Sequence, residues 1–533
     1  MKKSFSRFAA FVLFLTAPFS VSFGANAPAT RPNILFIFSD DHAQRAISAY
    51  GSTVNHTPHI DRLAAGGMKF NHAMVTNSIC TPSRATLLTG KYSHTNGTPV
   101  FNVFDGTQPT VAKMLQAAGY HTGMVGKWHL GREPTGFDRW IILPGQGVYF
   151  NPDFITPQGR VTLEGHVTAL TTQLGLEFLD TRPKDKPFFL MLHHKAPHRA
   201  WEPDLKNQAR FKNKVIPEPA TLWDDYSTRP AALPENQQRV ASDLTRRDLK
   251  LKPSADVPPG PKLAEWFNES PTSVEITDSD GTQKTLTGDA LVKWKYQRYM
   301  QDYLACVQGV DDSVGEVLDY LDRTGLAKNT IVIYSSDNGW YMGELGLFDK
   351  RFMYEPGLHI PLLVRGPGIK AGSSTELFAL NNDFAPTFLD LAGLPTPADM
   401  HGRSLVPLLH GEQPADWRTS VYYRYYHDPG HHNTRSHLGV RTTTHKLIHF
   451  WKKDAYELFD LTKDPSEQLN LINDPGQAAT ITTLKAEIAR LQQLYGDTGQ
   501  FGDAIPKDGV DAPINVQKLG VKSLKEAIAA AVP

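Results

Sequence analysis

Five short apolar runs, each closed by polar residues, constrain this chain most: residues 33–38, 122–125, 188–192, 330–334 and 362–364. Runs of this length suit strands buried on both faces of a parallel sheet. Between them, apolar residues recur near every 3.6 positions at 110–118, 171–179, 296–321 and 384–391, the period of helices. Strands alternating with helices predict an α/β class, a mostly parallel sheet sandwiched by helices. In such sheets ligands gather beyond the carboxyl ends of the strands. Asp40 and Asp41 follow the first run, and Asp337 and Asn338 follow the fourth.

At 533 residues the chain is long enough for one large domain and a smaller one. Its 55 basic residues balance 55 acidic ones, so no electrostatic footprint for nucleic acid is present. Lys2, Lys3 and Arg7 precede an apolar run over 8–17 and small residues near 22–25, the pattern of a secretory signal over 1–24. That run is shorter than the ~20 residues of a spanning helix, so no membrane span is expected. No cysteine follows it to carry a lipid anchor. The expected location is the periplasm or outside the cell.

The larger domain is expected over 30–415. Within it, 203–288 dissolves into proline, charge and polar residues and reads as an insertion on the active-site face, with one hairpin from 273–276 turning at Asp280-Gly281. Residues 416–533 read as a smaller α+β domain. There 421–426, 439–441, 446–450 and 457–460 suit a small antiparallel sheet, and Ile481, Leu484, Ile488 and Leu491 mark one face of a helix over 478–495. The tail after Gly499 is loose in pattern except for a short helix near 522–530. Of the two cysteines, Cys306 lies in a helical period and reads as core, so no Cys80–Cys306 disulfide is expected.

Asp40, Asp41, Asp337 and Asn338 offer three carboxylates and an amide carbonyl, hard oxygen ligands that suit Ca²⁺ or Mg²⁺ and argue against zinc. A single Asp at a strand end is as readily a turn or a helix cap. Two acidic pairs at two strand ends favour a metal, and the ligands alone leave the choice between Ca²⁺ and Mg²⁺ open.

The run Ser78-Ile79-Cys80-Thr81-Pro82-Ser83-Arg84 matches the Cys-x-Pro-Ser-Arg signature of the type I, formylglycine-dependent sulfatases. Gly119 to His129, with Lys127-Trp128-His129, resembles their second signature. His193-His194-Lys195-Ala196-Pro197-His198 resembles sulfatases that act on carbohydrates, and Asp337-Asn338-Gly339 with 343–351 follows in the family's order. Further stretches (Asp41-His42, 108–112, 349–355, 437–442) resemble the bacterial N-acetylglucosamine-6-O-sulfatases. The resemblance implies an alkaline-phosphatase-like fold, Cys80 oxidised to formylglycine by a separate maturase, and one Ca²⁺ at Asp40, Asp41, residue 80, Asp337 and Asn338. Calcium is the metal that type I sulfatases use.

The resemblance also implies roles. Arg84, Lys127 and Lys350 offset the charge of the sulfate, and a hydroxyl of the hydrated aldehyde attacks sulfur in line. His198 protonates the departing sugar oxygen, and His129 takes the proton of the second hydroxyl so that sulfate leaves. The expected reaction is exo-acting hydrolysis of the 6-O-sulfate of N-acetylglucosamine in mucin or glycosaminoglycan fragments. Other sulfated sugars, uronates and marine polysaccharides among them, stay open, as does phosphonate or phosphodiester hydrolysis within the superfamily. A glycan-binding relative without catalysis is disfavoured because each expected catalytic position is filled. The loop Tyr425-Tyr426-His427-Asp428 and 431–435 is dense in His and Arg, side chains suited to sugar hydroxyls and acidic substituents. Arg435 and His437 are expected as substrate clamps. Trp201 is expected either to stack on a sugar face or to pack beneath the insertion.

Overall fold

A computed structural model describes residue 1 and residues 31–229, 232–277 and 281–533. The rest of the expected signal segment and Asp280 of the expected hairpin turn lie outside the described residues. The main sheet runs, edge to edge, Ser373–Thr375, Met68–Phe70, Leu362–Arg365, Thr330–Ser336, Asn33–Ser39, Phe188–His193, His121–Lys127, Arg139–Leu143, Asp153–Thr156, Gly159–Thr162 and Lys518–Val521. Its middle, from Thr330–Ser336 through Arg139–Leu143, is parallel throughout.

The apolar run 362–364 does form a strand, but one antiparallel to Thr330–Ser336. A parallel return needs a crossover, usually helical. Residues 337–361 instead form loops and short turns of helix that carry site residues.

Every residue of Asn33–Ser39 is buried, as expected of a strand covered on both faces. Ile34, Phe36 and Phe38 face one core with residues of the helices Cys80–Thr89, Val111–Ala117 and Phe384–Leu391. Leu35 and Ile37 face the other, with residues of Pro58–Ala65, Val167–Thr181 and the long helix Gly288–Thr324. Cys306 sits buried on that long helix, and both cysteines are free. Strand packing is tightest at Gly126, where a Cβ would overlap the His193 carbonyl. Glycine thus lets the strand that ends at Lys127 close on the one that ends at His193.

The second sheet is antiparallel in chain order: Ser420–Tyr425, His437–Thr442, His445–Phe450 and Ala455–Asp460. Leu484, Ile488 and Leu491 of Ala478–Leu494 pack on its Tyr422, Val440, Leu447 and Leu458. The tail then leaves this sheet. Lys518–Val521 adds parallel to Gly159–Thr162 at the edge of the main sheet, and Leu524–Ala529 follows it. A four-residue strand containing Lys518 and Gly520 is too short and too mixed to announce itself in sequence.

In the 203–288 segment, Val274–Thr277 and Gln283–Leu286 pair as the expected hairpin. The same segment braces site loops: Phe348 N–H donates to the Gln238 carbonyl at 2.8 Å, and Gln237 N–H to the His432 carbonyl at 2.7 Å.

Candidate active site

Four adjacent parallel strands end at one place. Asn33–Ser39 delivers Asp40 and Asp41, Thr330–Ser336 delivers Asp337 and Asn338, His121–Lys127 delivers Lys127 and then His129, and Phe188–His193 leads to His198. Cys80 opens the helix Cys80–Thr89, all ten residues of which are buried, and Gly90 closes it in the left-handed conformation. A helix N-terminus carries partial positive charge, so residue 80 sits where negative charge is favoured. Asp41, His129, Asp349 and Arg351 all have φ between 53° and 86°, a strained region for residues other than glycine and one that clusters at functional sites.

The carboxylates are packed tightly. The Cys80 thiol donates to Asp40 Oδ1 at 3.4 Å. Asn338 Nδ2 donates to Asp41 Oδ1 at 2.9 Å and to Asp337 Oδ1 at 3.0 Å, and Asp41 N–H donates to Asp337 Oδ1 at 3.0 Å. Cations surround this set. Arg84 grips Asp337 Oδ2 through Nε at 3.0 Å and Nη2 at 2.8 Å, Lys127 pairs with Asp40, and Lys350 Nζ lies 2.5 Å from Asp41 Oδ2. Arg84 Nη1 also reaches the Lys127 carbonyl at 2.7 Å and His193 Nδ1 at 3.2 Å. His193 therefore stands behind Arg84, while His194 bonds Ser313 at 3.0 Å.

Burial works against every charge here, and the partners decide the outcome. Burial opposes ionisation of Asp40, but Lys127 and Arg84 hold its carboxyl well below the usual range. Burial lifts Asp41 to about 6 against the pull of Lys350, and lifts Asp337 to about 7 with help from Asp40. Burial, then Asp40, pushes the Cys80 thiol well up, so an unmodified Cys80 is a thiol and a poor nucleophile. Burial brings His129 down to about 4, and burial with Lys127 keeps His198 neutral.

The donor set fits a hard divalent cation. Atoms of Asp40, Asp41, Cys80 and His198 lie within 4.8 Å of one another, and Asn338 Oδ1 is buried with no hydrogen-bond partner among the described residues. Turning the Asn338 amide end for end would add its oxygen to three carboxylates, the all-oxygen environment that Ca²⁺ or Mg²⁺ takes.

Above this set opens a cleft of about 510 Å³ lined by Cys80, His198 and Lys350, by Asp349, Arg351 and His431 from stretches marked in the sequence, and by Gln146, Arg199 and Asp511, which were not. Arg435 and His437, the expected clamps, do not line it, and of the two readings of Trp201 packing is the one seen. Trp201 is fully buried, its ring 4.7 Å from Tyr299 and 6.1 Å from Trp340, so it packs and cannot stack on a sugar. His437 is fully buried among Tyr423, Tyr425 and Phe352, with its ring nitrogens taken by Met353 N–H and the Arg435 carbonyl. Arg435 does not line the cleft, because a mostly buried guanidinium needs a carboxylate and Glu235 holds it at 2.7 and 3.0 Å. The His-rich loop does reach the cleft, but through His431 and His432. Its composition was a usable signal, whereas which of its side chains face inward was not.

Comparison with known proteins agrees with this geometry. The sulfatase family model matches residues 32–394, and that of the N-sulphoglucosamine sulphohydrolase C-terminal region matches 343–494. An N-acetylglucosamine-6-O-sulfatase of Bacteroides thetaiotaomicron is 43% identical over 486 residues, covering 88% of this chain and 87% of that protein. The human N-acetylglucosamine-6-sulfatase is 27% identical over 435 residues, covering 76% and 69%. A solved structure in complex with its substrate, D-glucosamine-2-N,6-O-disulfate, superposes with TM-score 0.82 at 40% identity, covering 89% of this chain and all of the other. The mixed sheet is thus that of the alkaline-phosphatase-like fold. With the family model spanning the strand ends that carry Asp40, Cys80, Lys127, His198, Asp337 and Lys350, this chain belongs to the sulfatase family.

Proposed function

We propose that this protein hydrolyses the 6-O-sulfate ester of N-acetylglucosamine in mucin or glycosaminoglycan fragments, after a maturase has converted Cys80 to formylglycine. One observation carries the reading: Cys80 opens a buried helix at the floor of a sugar-sized cleft, ringed by three carboxylates and by Arg84, Lys127 and Lys350. The similarity to N-acetylglucosamine-6-sulfatases supports the choice of sugar.

Asp40, Asp41, Asp337 and Asn338 would hold one Ca²⁺, which when bound supplies positive charge to the sulfate and to residue 80. Formylglycine at that position supplies a hydroxyl pair on one carbon, a nucleophile that no encoded side chain offers. Arg84 stays charged and fixed, because Nε donates to Asp337, Nη1 donates to the Lys127 carbonyl and Nη2 is ion-paired with Asp337. Such preorganised charge is a large part of catalysis where negative charge develops. His198, on the cleft wall, gives a proton to the leaving sugar oxygen. The negative charge of a bound sulfate restores the proton affinity that burial and Lys127 remove. His129, neutral at working pH, takes the proton that regenerates residue 80.

Asp349, Arg351, His431 and His432 offer acceptors and donors for sugar hydroxyls. In this reading 30–415 is the catalytic domain, and 416–533 is a subdomain that walls the cleft through 431–432 and 508–512. The signal-like pattern of the N-terminal sequence supports a location in the periplasm or outside the cell, and no helix of the described residues is long and apolar enough to cross a membrane.

The test is sulfate release by purified protein whose Cys80 conversion is verified by intact mass. The substrates are N-acetylglucosamine-6-sulfate, N-acetylgalactosamine-6-sulfate, galactose-6-sulfate, a 2-sulfated uronate and a phosphonate monoester. Turnover confined to the first is expected. Preference for another substrate, or silence with the aldehyde present, overturns the choice of sugar.

A further inference from the structure

The C-terminal tail, which lines the cleft at 508–512, touches His129 through Asp511. His129 is fully buried in its side chain, and its Nε2 lies 3.0 Å from Oδ1 of Asp511, whose own side chain remains 57% exposed. On the other side of the ring, Nδ1 lies 3.4 Å from Oγ1 of Thr81, the neighbour of residue 80. The Thr81 hydroxyl donates to the His129 carbonyl at 3.0 Å.

These contacts fix a tautomer. A neutral imidazole carries one proton, and a carboxylate can only accept, so the proton sits on Nε2 and Nδ1 keeps its lone pair on the side of Thr81. The carboxylate is held for this purpose. Gly509 N–H and Val510 N–H donate to the Phe101 carbonyl at 2.8 and 3.0 Å, and Asp508 lies 3.3 Å from both His427 and His431. Gly145 gives Asp511 its room, since a Cβ there would come within 2.9 Å of Oδ1 at a backbone φ of +50°.

We infer that Asp511 is a positioning residue for His129. It selects the tautomer that can receive a proton from residue 80 and holds the imidazolium that results. The proton moves from a hydroxyl oxygen on residue 80 to Nδ1, and the Nε2–H bond to Asp511 stays in place. The inference rests on the role given to His129 above, so the experiment has one arm that needs no turnover.

That arm is ¹⁵N–¹H correlation of histidine-labelled protein, with the His129 ring assigned by its absence in His129→Gln. The expected spectrum of the wild type shows Nε2 protonated and Nδ1 bare, and Asp511→Ala shows a mixture of tautomers. The second arm is steady-state kinetics on N-acetylglucosamine-6-sulfate. A lost outer partner of this kind typically costs about 10- to 100-fold. We expect that loss in kcat for Asp511→Ala, with KM within about threefold, unchanged thermal unfolding, and partial rescue in Asp511→Glu. A wild-type ring protonated on Nδ1, or wild-type kcat in Asp511→Ala, overturns the inference. A wild type that releases no sulfate overturns the reading of function instead, and the spectrum still decides the role of Asp511.

Discussion

At the scale of single residues, Trp201 shows how position and chemistry part company. It lies three residues beyond His198, yet Tyr299 and Trp340 enclose it completely. Its indole nitrogen has no hydrogen-bond partner among the described residues, so its contribution is packing. Trp201→Phe should therefore leave KM for the sugar unchanged and cost little stability. Trp201→Ala should lose about 3–5 kcal/mol, the usual cost of emptying a large aromatic site. Chemical denaturation and KM for the two variants check this, and a raised KM in Trp201→Phe would reinstate sugar contact. Arg435 and His437 carry the same lesson. Their chemistry suits a sugar, but Glu235 and the second sheet claim them first.

At the scale of elements, one helix caps another. Pro58–Ala65 has no side-chain cap of its own. Asp311, on Gly288–Thr324, accepts instead from His59 N–H at 3.0 Å and Ile60 N–H at 2.8 Å, doing across space what an N-cap does locally. Burial lifts the Asp311 carboxyl to about 6, against the pull of those two donors. A carboxyl whose pKa is raised on folding binds more protons in the folded state. Its contribution is full below about 4, falls as pH rises to about 6, and is level above. Asp311→Asn should flatten that part of the stability–pH curve. Asp311→Ala should lose about 1–3 kcal/mol by stranding two buried donors. Denaturant melts at pH 4, 5, 6 and 7 decide it, and identical pH slopes in wild type and Asp311→Asn would refute the assignment.

At the scale of the whole molecule, the chain's last residues return to the edge of the main sheet. Lys518–Val521 completes one edge of the main sheet, Trp140 N–H donates to the Ala531 carbonyl at 2.9 Å, and Ala527, Ile528 and Ala531 are buried. Ending the chain at Asn515 should lower Tm by several degrees, since ~1 kcal/mol corresponds to a few degrees or less at this size. It should also loosen the 508–512 wall and raise KM. Differential scanning calorimetry and kinetics on the truncated protein test both, and unchanged Tm and KM would show the tail to be dispensable.

The sequence by itself determined the parts of this protein that are local. A buried strand must be apolar along its length, so 33–38 and 330–334 were legible, and the acidic pairs at their ends were legible with them. Cys80 through Arg84 is contiguous, so its motif survives without any knowledge of the fold. Only the tertiary structure decided how the cleft is walled. Residues 146, 349–351, 431–432 and 508–512 meet there from four distant segments. No periodicity links them, because what brings them together is sheet order and loop packing. The same holds for Asp511 on His129, 382 positions apart in the chain. A hydrogen bond between remote residues leaves no mark on either neighbourhood, and only the folded backbone brings the two groups within reach.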